Sequence, residues 1–249
     1  MHFFKEFPKA SYIFGNQLDI GGAQVTTELF QDISRYTDVI DQVKDNVSFH
    51  EKYYVLENDR PDQVSFDLYG TTIYHWTFFL MNEHLRTSGW PLTNSQLDSQ
   101  VKKDFPHKFI TVRDDLTGKF IPGQIARGLR SSATGEIQRR YLDLGTVVID
   151  ANLPFLVGEA VGNVSPTAVG TAAVTVVSTG DEYLGPHHYE DVDGNYVDID
   201  PLIGPGAQLT EITHYDRYIK RNDSLKEIIV IKPEFIGEIV SAFHRAIKS

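Results

Sequence analysis

The most regular hydrophobic pattern in the chain lies at its C-terminal end. Apolar residues recur there at helical spacing and form one stripe: Phe235, Ile236, Ile239, Val240, Phe243 and Ile247. A stripe with a 3.6-residue period predicts an amphipathic helix packed against a core, and Pro233 is expected to open it. The apolar run 226–232, just before this stripe, predicts a buried strand.

The first fifty residues contain two patterns. Residues 3–22 are aromatic and glycine-containing, without a period, whereas residues 27–47 carry apolar side chains near helical spacing. The second pattern predicts one amphipathic helix, capped by Thr26 or Thr27. This helix packs either on the core of its own domain or on a neighbouring subunit, and the pattern leaves both interpretations open.

Residues 53–92 predict a strand, two helices and a second strand in close succession. The run 53–56 is the first strand, and Asp59 is expected to cap the helix that follows. Pro61 is tolerated in the first turn of that helix, and Gly70 stands where a left-handed C-terminal cap belongs. The sequence therefore predicts a short helix between Pro61 and Gly70.

The second helix of this stretch is expected to start at Thr71 or Thr72. It directs Trp76 towards the core, and Asn82 lies near its end. The turn at 89–92 then leads into a short extended segment.

A weak internal repeat runs through the middle of the chain. Four residues recur 35 positions later, and a glutamine is matched by a glutamate: Phe120/Phe155, Gly123/Gly158, Ala133/Ala168, Gly135/Gly170 and Gln124/Glu159. The repeat suggests two similar β-hairpin units, with strands at 147–149 and 174–177. We expect a small inserted β region here, and we interpret the polar stretch 94–104 as a linker to it.

Histidine and acidic residues cluster near a predicted hairpin that reverses at Asp193-Gly194: His187, His188, Glu190, Asp191 and Asp193. A calcium loop requires glycine at its sixth position and glutamate at its twelfth, and Gly194 does not fit this spacing. Adjacent His187 and His188 point to opposite sides of an extended strand. We therefore interpret the cluster as a polar hairpin and expect no metal or other cofactor.

Composition narrows the classes of function. The 249 residues include 34 acidic and 23 basic side chains, a net charge of −11, and no cysteine. A nucleic-acid-binding face needs clustered Lys and Arg, so we expect no nucleic-acid partner. Without cysteine there are no disulfides and no thiolate zinc sites. Polar residues interrupt the longest weakly polar stretch, 155–177, so we expect no membrane contact.

The sequence motifs of common hydrolases and nucleotide-binding enzymes are missing. No Gly-x-Ser-x-Gly elbow, P-loop or His-Glu-x-x-His motif occurs. Carboxylate pairs are plentiful in an acidic chain, but Glu57 and Asp59 stand at a predicted helix start, where the helix dipole explains them. We therefore expect no enzymatic activity.

The stretch 53–93 also resembles a known family. Its most specific elements are the tripeptides Arg60-Pro61-Asp62, Leu68-Tyr69-Gly70, Tyr74-His75-Trp76 and Gly89-Trp90-Pro91. These resemble the baseplate wedge subunit family of contractile-tailed bacteriophages, which carries a LysM-like module. The segment 214–243 resembles the closing segment of that family, so the resemblance covers roughly 1–95 and 182–249.

The resemblance implies an α+β fold class with a LysM-like β-α-α-β core, an inserted small β region and a C-terminal strand–helix. The implied division is 1–50 as an N-terminal partner-docking segment, 51–95 as the LysM-like module, 96–181 as the inserted β-rich region and 182–249 as the hairpin, strand and helix closing on the core. The residues that match the fold signature are Tyr54, Asp59, Pro61, Leu68, Tyr69, Gly70, Trp76, Asn82, Trp90 and Pro91.

The function implied by the resemblance is structural. Such a subunit clamps the other proteins of the baseplate wedge and links adjacent wedges around the hub, in six copies per baseplate. It resides in the virion tail after assembly in the host cytoplasm. Arginine forks suit inter-subunit ion pairs, and the candidate partner contacts are Arg60, Asp62, Arg86, Phe30 and Tyr36.

Two other functions stay open at this point. One is a LysM-type peptidoglycan-binding module, in which Trp90 is the more plausible exposed sugar platform because Trp76 points inward. The bulky residues Glu57, Arg60 and Arg86 in the turns bordering its groove count against it. The other is a cell-wall hydrolase, because phage tails carry such enzymes.

Overall fold

The computed structural model of the chain describes residues 7–14, 26–32, 37–164 and 173–248. The chain divides into two compact units. Unit 1 comprises Met1–Pro91 and Asp223–Ser249, and unit 2 comprises Leu92–Asn222. No described helix is long and apolar enough to cross a membrane.

The elements follow one another in chain order. Those of residues 7–91 are β1 (Lys9–Phe14), β2 (Thr26–Gln31), α1 (Val39–Asp45), β3 (His50–Tyr54), α2 (Pro61–Tyr69), α3 (Trp76–Met81) and α4 (Glu83–Ser88). Unit 2 contributes α5 (Asn94–Asp104), β4 (Lys108–Val112), β5 (Ile125–Gly128), β6 (Thr134–Tyr141), β7 (Thr146–Ala151), β8 (Ala160–Val164), β9 (Ala173–Asp181), β10 (Pro186–Glu190), β11 (Tyr196–Val197) and β12 (Thr210–Thr213). The last elements are α6 (His214–Ser224), whose last two residues lie beyond the boundary at Asn222, β13 (Glu227–Ile231) and α7 (Ile236–Lys248).

The core of unit 1 is built around β13. This strand pairs antiparallel with β3, with Glu227 opposite Tyr54. One face of β13 joins a cluster with Val55, Val64, Phe78 and Leu85, and the other face joins a cluster with Trp76 and the stripe of α7. The buried strand and the amphipathic helix predicted at the C-terminus are therefore confirmed, although α7 begins three residues after Pro233.

The predicted LysM-like β-α-α-β core is wrong. Residues 89–93 form no strand, and β3 pairs instead with β13, which lies far downstream. The predicted second helix is also divided, into a 3-10 turn at Thr72–His75, α3 and α4. The physical reason is that β13 is apolar on both faces and is therefore buried between two apolar clusters. It pairs with β3 in the place that the segment 89–92 was expected to fill.

The predicted helix over 27–47 is also wrong in its first half. Thr26 and Thr27 lie in β2, which pairs with β1, and a helix begins only at Val39. β-Branched and aromatic residues favour strands, and this preference outweighed a loose helical spacing. Tyr36 lies outside the described residues.

Unit 2 contains a closed antiparallel barrel of six strands in the order β4-β7-β6-β5-β8-β9. Exchanging the triplet β4, β5, β6 with the triplet β7, β8, β9 leaves this order unchanged, so the barrel has two topologically equivalent halves. Its interior is packed with aliphatic side chains and two phenylalanines, Phe120 and Phe155.

The 35-residue repeat corresponds to one turn that occurs in both halves. The N–H of Gly123 donates to the carbonyl of Ile137, and the N–H of Gly158 donates to that of Val176. In return, Ile137 donates to the carbonyl of Gln124 and Val176 donates to that of Glu159. The repeated unit is therefore a three-stranded element rather than a hairpin. Ala168 and Gly170 lie outside the described residues.

Two further segments of unit 2 differ from expectation. The predicted linker 94–104 is the helix α5, which begins with a capping box between Thr93 and Gln96 and buries Leu97 and Val101. Residues 182–222 belong to unit 2 rather than to the unit that contains α7. The hairpin that reverses at Asp193-Gly194 is confirmed: β10 pairs with β11 around it, and β12 lies on the other side of β10.

Candidate interaction surface

The turn that leads into α2 is held by Asp59, although not as the predicted helix cap. The Asp59 carboxylate accepts the N–H of Leu56 at 3.1 Å. Arg60 occupies the N-cap position without a side-chain cap, and Pro61 is the first residue of the helix. The helix ends at Gly70 in the left-handed conformation, with φ at 69°, which confirms the predicted cap.

Trp90 is not an exposed platform. Its indole N–H donates to the backbone carbonyl of Asp59 at 2.8 Å. Its ring lies 5.9 Å from that of Phe78 and 6.0 Å from that of Phe79, measured between centroids. Trp90 therefore joins the two turns that would border the glycan groove of a LysM module.

Asn82 joins the end of α3 to the centre of β13. Its side-chain amide donates to the carbonyls of Phe78 and Ile229, both at 2.8 Å. Its side-chain oxygen accepts the N–H of Ile229, also at 2.8 Å. Both backbone groups of Ile229 are thus satisfied by one side chain, which protects that edge of the strand.

Tyr69 makes a second link to the same strand. Its hydroxyl donates to the carbonyl of Ile231 at 2.8 Å, and burial raises the pKa of the phenol well above its ordinary value. Trp76 is buried as predicted, with its ring 5.2 Å from that of Phe243. Leu68 packs against the cluster that contains Val55, and Pro91 is the last residue before unit 2.

The charged candidates are exposed and already paired within the chain. Arg60 donates to Asp62 at 2.8 Å, and Arg86 donates to Glu83 at 2.9 Å. Exposed pairs of this kind contribute about 0–1 kcal/mol each, so either arginine can exchange its partner at little cost. Phe30 lies exposed on β2.

Four exposed apolar side chains in unit 1 were not predicted as partner contacts from the sequence. Tyr54, Leu56, Phe66 and Ile73 are 57%, 62%, 57% and 48% exposed. We call these four residues the apolar surface set. Tyr54 and Leu56 flank the buried Val55, and Phe66 lies on the side of α2 opposite Val64 and Leu68. The alternation around Val55 and the helical spacing in α2 are the signals that identify Tyr54, Leu56 and Phe66. Ile73 stands in the 3-10 turn after α2 and has no such signal.

The histidine cluster in unit 2 has a geometry that the sequence did not predict. The pairing of β10 with β12 shifts register between Pro186 and His188, which leaves His187 as the extra residue of a β-bulge. The Nδ1 atoms of His187 and His188 consequently lie 2.9 Å apart. The expectation that the two rings point to opposite sides is wrong.

The remaining acidic residues of the cluster stabilise the hairpin itself. The Asp191 carboxylate accepts the N–H groups of Asp193 and Asn195, both at 2.9 Å. Hydrogen bonds from Asn195 lower the pKa of Asp191. Within the described ranges, no group of three or more His, Cys, Asp or Glu residues converges as metal ligands.

A scan against models of protein families and a search among curated proteins each gave no match for this chain. The resemblance to baseplate wedge subunits therefore rests on the quoted tripeptides and on the C-terminal segment.

Proposed function

We propose that the chain is a structural subunit of the baseplate wedge of a contractile-tailed bacteriophage, and that it acts by binding other wedge proteins. The observation that carries this proposal is the way the two resembling segments fold together. Most of these two segments, residues 53–91 and 223–243, forms one core in which β3 pairs with β13, whereas 214–222 belong to unit 2. Two stretches far apart in the chain therefore make a single unit, as expected if they resemble one family for a common reason.

The polar links between those segments strengthen this reasoning. Asn82 binds both backbone groups of Ile229, and Tyr69 binds the carbonyl of Ile231. Both side chains belong to the residues that carried the resemblance, and both are explained by contacts within the fold. Their role is to build the core, which leaves partner binding to the exposed residues around them.

The apolar surface set supplies the proposed anchors for partner binding. Aromatic side chains are among the residues that dominate interface energies. Arg60 and Asp62 pair with each other at the surface and are available to re-pair with charges of a partner. Burying one large apolar side chain contributes about 1.5–3 kcal/mol, so two such anchors together contribute about 3–6 kcal/mol to the contact.

The finer role follows from the resemblance and is part of the same proposal. The subunit clamps wedge proteins and links adjacent wedges around the hub, with six copies per baseplate. It is a component of the virion, assembled in the host cytoplasm. Its partners are the other wedge and hub proteins.

The surroundings of Trp90 do not favour peptidoglycan binding. A sugar platform requires an open aromatic face, whereas this indole is half-buried and packs on Phe78 and Phe79. Its N–H is also used by the Asp59 carbonyl. The alternative is therefore retained only as an outcome of the test.

The test is co-expression with the products of neighbouring tail genes, followed by size-exclusion chromatography and a binding titration. We expect a stable complex, weakened at least about tenfold by Leu56→Ser with Phe66→Ser, because two anchors are lost. Val192→Ser is the matched control, since Val192 is an exposed apolar residue of unit 2. Quantitative mass spectrometry of purified virions is expected to give six copies.

Three outcomes would contradict the proposal. One is the absence of the chain from purified virions. Another is equal weakening by Val192→Ser and by the double variant. The third is saturable binding to purified cell walls without binding to any tail protein, which would favour the glycan-binding alternative.

A further inference from the structure

The bulge in β10 creates a pair of imidazoles whose geometry matches a chelate. Metal–nitrogen bonds of about 2.0–2.1 Å that meet at a right angle place two nitrogen atoms about 2.9 Å apart, whereas a tetrahedral angle requires about 3.3–3.4 Å. The Nδ1 atoms of His187 and His188 lie 2.9 Å apart. This separation is that of the hydrogen bond between the two rings, and it is also the spacing that right-angled coordination requires.

We propose that His187 and His188 bind one divalent transition-metal ion of tetragonal geometry, Cu²⁺ or Ni²⁺, through their two Nδ1 atoms. Imidazole nitrogen is a preferred ligand of both ions, and tetragonal coordination is typical of them. The protein supplies two ligands, and water completes the coordination. This inference is independent of the proposed baseplate function.

Glu190 fixes the tautomer of His188, one of the two proposed ligands. The Nε2 of His188 lies 3.0 Å from a carboxylate oxygen of Glu190, so this nitrogen carries the proton and donates it. The Nδ1 of His188 is thereby left unprotonated, with its lone pair facing the Nδ1 of His187 as a hydrogen-bond acceptor. A carboxylate behind a metal-binding histidine is a common arrangement that fixes the tautomer and raises ligand basicity.

The surrounding elements hold these groups in place. Lys220 on α6 donates to both carboxylate oxygens of Glu190, at 2.8 and 2.6 Å. The ring of His188 stacks on Tyr196 of β11, with 5.2 Å between centroids. A chelate built on two paired strands and a helix contact is more rigid than one on a free loop.

Metal binding requires a change of tautomer at His187. In the metal-free state it donates this proton to Nδ1 of His188, and on metal binding the proton moves to Nε2 of the same ring. His187 also lines a cavity of about 210 Å³ with Asp143, Arg217 and His214.

The charges facing the pair set a moderate affinity. Arg217 and Lys220 oppose a cation, whereas Glu190 and Asp143 attract it. Lys220 is already paired with Glu190, which offsets part of its repulsion. Two imidazoles and water make a weaker site than three or four protein ligands, so the test measures affinity as well as stoichiometry.

The test is equilibrium dialysis of the full chain against Ni²⁺ at pH 7.5, with electron paramagnetic resonance of the Cu²⁺ form. We expect His187→Gln and His188→Gln each to bind one ion fewer per chain than the unmodified protein. His84→Gln, an exposed histidine of α4, is the matched control and is expected to leave binding unchanged. Glu190→Gln is expected to weaken the site about 10–100-fold.

Electron paramagnetic resonance of the unmodified chain with Cu²⁺ tests the coordination geometry without any variant. We expect a tetragonal Cu²⁺ spectrum with coupling to two imidazole nitrogens. Equal stoichiometry and affinity in the unmodified chain and in both folded histidine variants would overturn the proposal and assign the binding to scattered surface histidines. A spectrum without a two-nitrogen species would overturn it even where the variants fail to fold.

Discussion

The replacement Asn82→Leu tests the link between the two halves of unit 1. It removes the donor and the acceptor that satisfy Ile229, while keeping a side chain of similar size in a buried position. The carbonyl of Phe78 still accepts the backbone N–H of residue 82, at 3.0 Å, after the replacement. Only the N–H and the carbonyl of Ile229 therefore lose their hydrogen-bond partner. Each buried orphan costs about 1–3 kcal/mol, and the pair therefore costs about 2–6 kcal/mol.

This loss is large against a total stability of about 5–15 kcal/mol. Urea unfolding followed by tryptophan fluorescence measures it selectively, because the chain has 2 Trp, Trp76 and Trp90, and both lie in unit 1. Gln63→Leu makes the same amide-to-apolar change on an exposed face of α2 and is expected to stay within about 0.5 kcal/mol. A loss below about 1 kcal/mol for Asn82→Leu would refute the reasoning, since it would mean that water replaces the amide.

Three further predictions concern side chains in both units. Trp76→Ala is expected to cost about 3–5 kcal/mol in the same urea assay, whereas Arg60→Ala stays within about 0.5 kcal/mol. Burial opposes ionisation of Glu159, but four hydrogen bonds outweigh it and lower its pKa, so barrel stability falls as pH drops below about 4.3. Glu159→Gln should flatten that acid limb in circular dichroism. Gly135→Ala should prevent barrel folding, because its Cβ would lie 2.1 Å from a backbone oxygen, whereas Gly118→Ala costs about 1–2 kcal/mol by thermal melt.

Local chemistry made some elements predictable. The stripe of α7, the left-handed cap at Gly70 and the reversal at Asp193-Gly194 each depend on residues close in sequence. Helical period, freedom at positive φ and turn preference are properties of short segments, so they need no knowledge of the rest of the chain. The helix α5 was not predicted, although the residues of its capping box, Thr93 and Gln96, have the spacing typical of a helix start.

Pairing between distant segments was not predictable in the same way. The β-α-α-β core implied by the resemblance gave the strand 53–56 a second strand just after the helices, with the C-terminal strand and helix closing on that core. The structure pairs β3 with β13 because an apolar run on both faces of a strand needs two covering layers. The closed barrel is a second case, since the repeat at Phe120 and Phe155 showed a turn but not the strand order.

The candidate sites show the same limit at the scale of single side chains. The rule that neighbouring residues of a strand face opposite ways fails at His187, because one extra residue in β10 changes the local geometry. No sequence signal marked that bulge. By contrast, the exposed positions of Tyr54 and Phe66 follow from alternation around Val55 and from the helical spacing of α2.

The two ends of unit 2 are joined by a side chain that repeats the arrangement found at Asn82. Asn222, the last residue of the unit, accepts the N–H of Leu92 at 2.8 Å and donates to its carbonyl at 2.9 Å. Leu92 is the first residue of the unit. Unit 2 therefore begins and ends at one point, which is the geometry expected of a domain inserted into another.

An inserted domain can be removed without destroying its host. The core of the barrel contains only residues of unit 2, and the two clusters around β13 contain only residues of unit 1. We expect a chain in which a short Gly-Ser linker replaces residues 92–222 to fold, with buried tryptophan emission and a cooperative urea transition. Solvent-exposed tryptophan emission, or loss of the cooperative transition, would show that unit 1 depends on unit 2. The insertion interpretation would then fail, because a host that cannot fold alone has no independent core to be interrupted.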